Sequence, residues 1–346
     1  AGFIVSDLEV ELTSGYEASI ATFCLYNTFD HDNSCFRIEE VKNYIMLGSG
    51  VEIALGYGTQ AQMIFCGFIS RVNFFYEDSD APGIRVTAMD VKGVMMANCY
   101  SRQLTATSYG EAVKEILNKG MYLGMTNSQI IKKLIISDTP DKQVVSAVSK
   151  ASDRTIEMVA ESDYEFVVKA AKKYNYEFFT IGGTVYFRTA KENKDILLEA
   201  APDTGLKGYE IIYDITGQTE SIEVRSMDAG KAQLISTQEK LNQKMSQQNK
   251  AKNLIKQSKK SYIDPTVSSR KEAQYRLDYL KEEMMFRLGS LEADFIGLPE
   301  LIPGRFIKMK ELGTMVSNTF YIVSVTHKMD TESGYVTSIK GKASGL

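Results

Sequence analysis

The sequence predicts an α+β protein in which two related antiparallel β-barrel domains flank an α/β insert, with a helical insertion in the second barrel. Three observations predict it. The first 105 residues carry long alternating strand patterns, capped amphipathic helices appear in the middle, and the opening rhythm returns near the end. The expected boundaries are 1–105 for the first barrel, 106–200 for the insert and 201–346 for the second barrel, interrupted over 229–289. A chain of 346 residues is long enough for two or three domains with cores of their own.

In the first barrel, Val51, Ile53 and Leu55 alternate with Glu52 and Ala54, and Gly56-Tyr57-Gly58 marks a turn. A long apolar-aromatic run from Met63 to Tyr76 follows, broken at Gly67. An acidic stretch from Glu77 to Gly83 connects it to Ile84, Val86 and Ala88, which alternate with Arg85, Thr87 and Met89.

The pattern changes after Thr105. Ser108 to Glu111 has capping-box spacing ahead of Ala112, Val113, Ile116 and Leu117, with Gly120 expected to close that helix. A second short helix is expected over Asn127 to Leu134 and a strand over Thr155 to Ala160. Ser162-Asp163-Tyr164-Glu165 is another capping box, before the apolar stripe Phe166, Val167, Ala170, Ala171 and Tyr174. Two aromatic strands, Tyr176 to Ile181 and Thr184 to Phe187, meet through Gly182-Gly183, a hairpin signal.

In the last domain, Ile211, Tyr213, Ile215, Ile222 and Val224 restore strand patterning. Residues 229–261 carry Lys231, Lys240, Lys244, Lys250, Lys252, Lys256, Lys259 and Lys260 against Glu239, and read as a solvated helix or an insertion. Ser269 to Glu272 caps a better helix with Ala273, Leu277, Leu280, Met284 and Leu288 on one face, ended by Gly289. The closing strands echo the opening ones. Gly304 onward parallels Gly50 onward, Phe320 to His327 parallels Phe65 to Val72, and Gly334 to Thr337 parallels Gly83 to Val86. A duplicated β-domain has a physical use, because three chains with two barrels each present six similar units around an axis.

This order of elements resembles the baseplate hub proteins of contractile injection systems: late control protein D of phages and the hub part of VgrG spikes. The resemblance rests on the fold-signature residues Gly67, Asp90, Ser162, Asp163, Tyr164, Phe166, Pro303, Gly304 and His327, with Asn175 where the family commonly has glycine. It implies a homotrimeric, tube-like hub joining a spike protein below to the inner tube protein above, with baseplate wedge proteins around it. It also implies that the hub nucleates tube assembly. Such a protein is made in a bacterial cytoplasm and becomes part of a phage virion or phage-tail-like particle. The sequence ends at Leu346, after the second barrel, so a separate spike protein is the corresponding expectation.

Chemistry has few candidates, and no catalytic, cofactor-binding or metal residue is expected. His31 and His327 are the two histidines, and His327 sits on a patterned strand. Ser162 and Asp163 are explained by capping, and no Gly-x-Ser-x-Gly elbow surrounds them. Gly48, Gly50, Gly56 and Gly58 lack the lysine of a phosphate loop. Cys24, His31 and Cys35 are zinc-ligand types without zinc spacing, and the four cysteines read as buried reduced thiols. A net charge of −4 gives no pull toward nucleic acid, and no apolar run approaches the roughly 20 residues of a membrane span. The alternatives are a tail-associated peptidoglycan hydrolase and a carbohydrate-binding β-protein, the latter offering 19 tyrosines but no tryptophan.

Overall fold

The structure, a computed structural model, describes residues 2–77, 80–123, 130–141, 156–228, 231–241, 249–314 and 316–345. The opening residues form β1 (Ile4–Thr13), β2 (Ile20–Tyr26), the short β3 (Phe29–Asp30) and β4 (Cys35–Phe36), and α1 (Ile38–Ile45). β5 (Gly50–Tyr57), β6 (Gln60–Glu77) and β7 (Asp80–Met89) follow. Apolar side chains alternate on one face of these strands, and Val10, Leu12, Ala21, Ile64 and Ala88 are almost fully buried together. The sheet curls where β6 changes partners, from β5 over its first half to β7 over its second, with a bulge between Ile69 and Arg71.

The middle of the chain adds α2 (Val91–Met95), β8 (Tyr100–Leu104), α3 (Tyr109–Leu117), α4 (Gly120–Leu123), β9 (Lys133–Ile136), β10 (Ile156–Glu161), α5 (Asp163–Tyr174), β11 (Tyr176–Ile181) and β12 (Thr184–Thr189). β11, β12 and β9 form one small sheet and β8 pairs with β10. α3 and α5 bury Ile116, Leu117, Phe166 and Ala170 in the core of this module. The Gly182-Gly183 turn joins paired Ile181 and Thr184, both glycines having positive φ, as a two-residue hairpin requires. Lys133–Ile136 is a strand rather than the end of a helix, since it completes this sheet alongside β12; residues 127–129 of that expected helix lie outside the described residues. Because β8 pairs with β10 and α2 packs into the same core, the module begins at Asp90 rather than at residue 106.

The last part comprises β13 (Ile196–Ala200), β14 (Leu206–Tyr213), β15 (Ser221–Asp228), β16 (Gln233–Lys240), α6 (Asn249–Ile255), β17 (Lys259–Ile263), α7 (Arg270–Met285), β18 (Gly289–Ile296), β19 (Phe306–Met309), β20 (Thr319–Asp330) and β21 (Gly334–Ala343). β13 pairs with β19 and so belongs to the second barrel, not to the insert. The interruption expected as a helical segment over 229–289 is itself α/β. β16, β15 and β17 form a three-stranded sheet packed on α7 through Ile222, Val224, Leu277 and Leu280. On the face away from α7, Lys259 pairs with Glu223 at 2.8 Å, while Lys260, one residue on, donates to the Gly217 carbonyl. Gly289 starts β18 rather than closing α7.

One 11-stranded sheet runs through both barrel-type halves, in the order β14-β18-β21-β20-β1-β2-β7-β6-β5, with β19 also on β20. The duplication is visible in it. The order β1-β2-β7-β6-β5 of the first half recurs as β14-β18-β21-β20-β19 in the second, and every corresponding pair is antiparallel. The bulge of β6 recurs between Ile322 and Ser324 of β20. Gly48, with φ of 84°, donates to Ile69; Gly304, with φ of 81°, donates to Ile322. The structural equivalents are therefore Gly48 and Gly304, and Gly83 corresponds to Val336. The sequence alignment of Gly50 with Gly304, and of Gly83 with Gly334, was two residues out of step. A shift of two preserves the facing of every side chain, so alternation alone could not detect it.

Gly67 is fixed by contact. A Cβ there would lie 2.2 Å from the Met89 carbonyl oxygen, where β6 crosses onto β7. Replacing Gly67 with alanine is expected to cost about 3 kcal/mol in urea unfolding followed by circular dichroism. Gly2, with nothing within 4 Å of its Cβ position, is the tolerant comparison.

Candidate functional site

The helix caps set the middle module. Ser162 accepts from the Glu165 amide while Glu165 accepts from the Ser162 amide at 2.7 Å, the full capping box. Ser108 and Ser269 make the hydroxyl half, but Glu111 and Glu272 reach one residue further back, to Thr107 and Ser268. Capping places Asp163 at the first position of α5, fully buried. Its carboxylate accepts from Lys119 Nζ at 2.7 Å, Tyr100 Oη at 2.6 Å, Asn98 Nδ2 at 3.1 Å and the Tyr122 hydroxyl. Burial alone would raise this carboxyl, but these donors outweigh it and hold the pKa below the ordinary aspartate value. An acceptor this saturated is an ionised structural pin, not a base.

The other signature residues are likewise joints. Asp90 accepts from the amides of Ser19 at 3.0 Å and Lys92 at 2.9 Å and from the Thr180 hydroxyl, tying the β1–β2 turn to α2 and β11. Phe166 stacks on Tyr109 at 5.7 Å, and Tyr164 lines the cleft between α5 and α7. Pro303 is buried, and the Gly304 carbonyl accepts from Arg188 at 2.9 Å, linking the middle module to the second barrel. His327 is fully buried on β20, opposite Val10 of β1, with Nδ1 2.9 Å from Tyr335 Oη. Burial lowers its pKa from 6.5 to about 4, so the ring is neutral near pH 7.

Two joints escaped the sequence reading. Lys92 has no exposure; its ammonium donates to the carbonyls of Gly15 at 3.1 Å and Glu17 at 2.6 Å, and burial lowers its pKa. Glu177 is buried, which raises its pKa, and it accepts from Arg188 at 2.6 Å, the Tyr321 hydroxyl and the Lys191 amide. Patterning treats both as surface charges on strand or turn; only long-range packing buries them.

Among the described residues, charged groups lining two clefts are held in ion pairs and hydrogen bonds. One cleft, about 680 Å³ between α5 and α7, is lined by Tyr109, Tyr164, Lys169, Lys172 and Arg276. Three of its cations are in ion pairs, Lys169 with Glu161, Lys173 with Glu272 and Arg276 with Asp264, and Lys172 lies over the Tyr16 ring. A second cleft, about 420 Å³, borders Glu177, but Arg188, Tyr321 and Lys191 already clamp that carboxylate. Among the described residues no group of three histidine, cysteine or acidic side chains is placed to hold a metal. His31 instead packs on Phe29 at 5.2 Å. Of the four free cysteines, Cys24 and Cys66 are buried, whereas Cys35 and Cys99 are exposed, against the expectation that all four are core thiols. No described helix is long and apolar enough to cross a membrane.

What the geometry offers is strand edges. β6 from Arg71 to Glu77 is bonded only to β7, and β14 only to β18, among the described residues. Phe74 is 46% exposed and Tyr209 45%. Two free sheet edges, with Asp90, Lys92, Asp163 and Glu177 spent on joints, describe a β-rich fold of two related halves around an α/β module. Residues 19–331 match the family model of the Alg8 N-terminal domain, and the chain belongs to that family. No curated protein matches it. Similar solved structures include the tail protein from Neisseria meningitidis MC58, 10% identical with a TM-score of 0.67, covering 99% of this chain and 97% of that one. The 43 kDa tail protein of prophage MuSo2 from Shewanella oneidensis is 10% identical with a TM-score of 0.66, covering 99% and 95%. The E. coli c3393 protein, described as a type VI secretion component similar to bacteriophage T4 tail proteins, is 10% identical with a TM-score of 0.57, covering 98% and 73%. At this identity the likeness is one of fold.

Proposed function

We propose that the chain is the structural hub of a contractile tail or injection machine, a homotrimer that adapts a threefold spike to a sixfold inner tube. The observation that carries this reading is the repeated strand order of the two halves, which gives each chain two equivalent β units within one sheet. Three chains then supply six units to a closed ring. The tail-protein fold of the structural neighbours supports the same reading. In the particle the hub docks a spike protein below and the first ring of tube protein above, with baseplate wedges around it. It templates tube polymerisation by geometry alone and catalyses nothing. It is made in the bacterial cytoplasm and carried in the assembled baseplate.

Sedimentation of the purified chain is expected to give a species of three times the chain mass. A monomer persisting at high concentration contradicts the reading. A peptidoglycan zymogram is expected to stay blank, and a clearing zone from the purified chain would favour a hydrolase instead.

A further inference from the structure

We propose that β14 of one chain adds to the free second half of β6 of another copy, in the register that β1 already uses on β20 within a single chain. The closure of this contact into a ring rests on the hub reading; the register does not.

The duplication fixes the register. Val10 pairs with Ala21 as Ile211 pairs with Leu291, so β14 is the counterpart of β1. Ile69 pairs with Ala88 as Ile322 pairs with Gly341, so β6 is the counterpart of β20. Within the chain β1 lies antiparallel on β20, with Val10 opposite His327, Glu11 opposite Thr326 and Thr13 opposite Ser324. Carried over by these equivalences, Ile211 faces Phe74, Ile212 faces Asn73, Tyr213 faces Val72 and Asp214 faces Arg71.

Burial shows what each edge lacks. On the occupied junction Val10 and His327 are 0% exposed and Leu12 and Val325 are 1% exposed. Of their counterparts on the free edges, Phe74 is 46% exposed and Val72, Ile211 and Tyr213 are only half-buried; beside them Tyr76 is 56% and Tyr209 45% exposed. An apolar cleft of about 440 Å³ lined by Ile38, Ile45, Leu47, Val72 and Phe74 runs beside the free part of β6. Unpaired, apolar strand edges are assembly surfaces unless they are protected. Charge favours the same pairing. In this register the exposed Arg71 of β6 faces Asp214 at the end of β14, a pair of opposite sign. The contact is head-to-tail, because each chain offers one edge of each kind.

The test uses the full chain with the exposed Cys35 and Cys99 changed to serine. Asn73→Cys with Ile212→Cys places two solvent-side thiols opposite each other across the junction. Directly opposed strand positions lie within the span that a disulfide bridges. Mild oxidation is expected to give reducible dimers and closed trimers on a denaturing gel. The out-of-register pair Asn73→Cys with Glu210→Cys is expected to give none. Both substitutions lie on exposed side chains, and circular dichroism checks that the fold is kept. Trimer in sedimentation without cross-linking of the in-register pair, or equal cross-linking of both pairs, overturns the register while the hub survives. A monomer at high concentration overturns both.

Discussion

Replacing Asp163 with alanine is expected to lower stability by about 3 kcal/mol, because it strands the fully buried Tyr122 hydroxyl and removes the shared acceptor of three half-buried donors. Tyr122 is 0% exposed and the Lys119 side chain 20%, and both point at the lost carboxylate. The same group draws in Asn98 and Tyr100, so its loss loosens α5 from β8 and from the end of α3 together. The appropriate comparison is Ser162→Ala, which removes only the cap of the same helix and is expected to cost about 1 kcal/mol. Circular dichroism is the natural probe in urea, as the chain has no tryptophan. If the two substitutions cost the same, Asp163 is a helix-terminal charge and not the pin of the middle module.

Acidification is expected to act through His327. Folding holds this imidazole neutral, lowering its pKa from 6.5 to about 4 by burial. Between those values the unfolded chain binds a proton that the folded chain refuses. Stability is thus complete above pH 6.5, falls as the pH drops and levels off below about 4. The loss over that window is about 3 kcal/mol at full effect. Carboxylates contribute their own acid sensitivity, so the readout is the difference between wild type and His327→Gln, whose side chain does not titrate. That difference is expected to slope between pH 6.5 and 4 and to be flat above. Because His327 faces Val10 across the junction of the two halves, hydrogen exchange is expected to rise first in β1 and β20. A pH-independent difference would place the ring in contact with water.

The legible parts of the fold were those written in local periodicity. Alternation at Val51 to Leu55 and Ile84 to Met89, the Gly182-Gly183 hairpin and the cap at Ser162 each depend on residues a few positions apart. So does the recurrence of a β unit, which was readable as rhythm. Its register was not, because strand alternation repeats every two residues and tolerates the shift from Gly48 to Gly50. The bulges in β6 and β20 and the paired positive-φ glycines resolve that ambiguity, and neither has a sequence signal of its own. The lysine-rich segment misled for a related reason. Its strands β16 and β17 bury few side chains, so composition resembles a solvated helix where pairing with β15 dictates strands; the helix itself is α6 between them, which carries Lys250 and Lys252.

The site was harder to read than the fold. Ser162, Asp90 and Asp163 stood out by motif, but nothing near them in sequence reveals that Asp163 collects donors from Asn98, Tyr100, Lys119 and Tyr122. Glu177 and Lys92 look like ordinary strand and turn charges until the middle module closes on the barrels. The free edges were invisible in sequence for the opposite reason. β14 and β6 carry ordinary strand patterns, and only the sheet order reveals which strands lack a neighbour.

Averaged electron cryo-microscopy images of the purified chain, processed without imposed symmetry, test the central claim most directly. The account predicts a ring of six similar β lobes around an opening, alternating in two kinds so that true symmetry is threefold, with α/β modules repeating three times. Single two-lobed particles, or a ring in which the lobes of one chain are not neighbours, would contradict it.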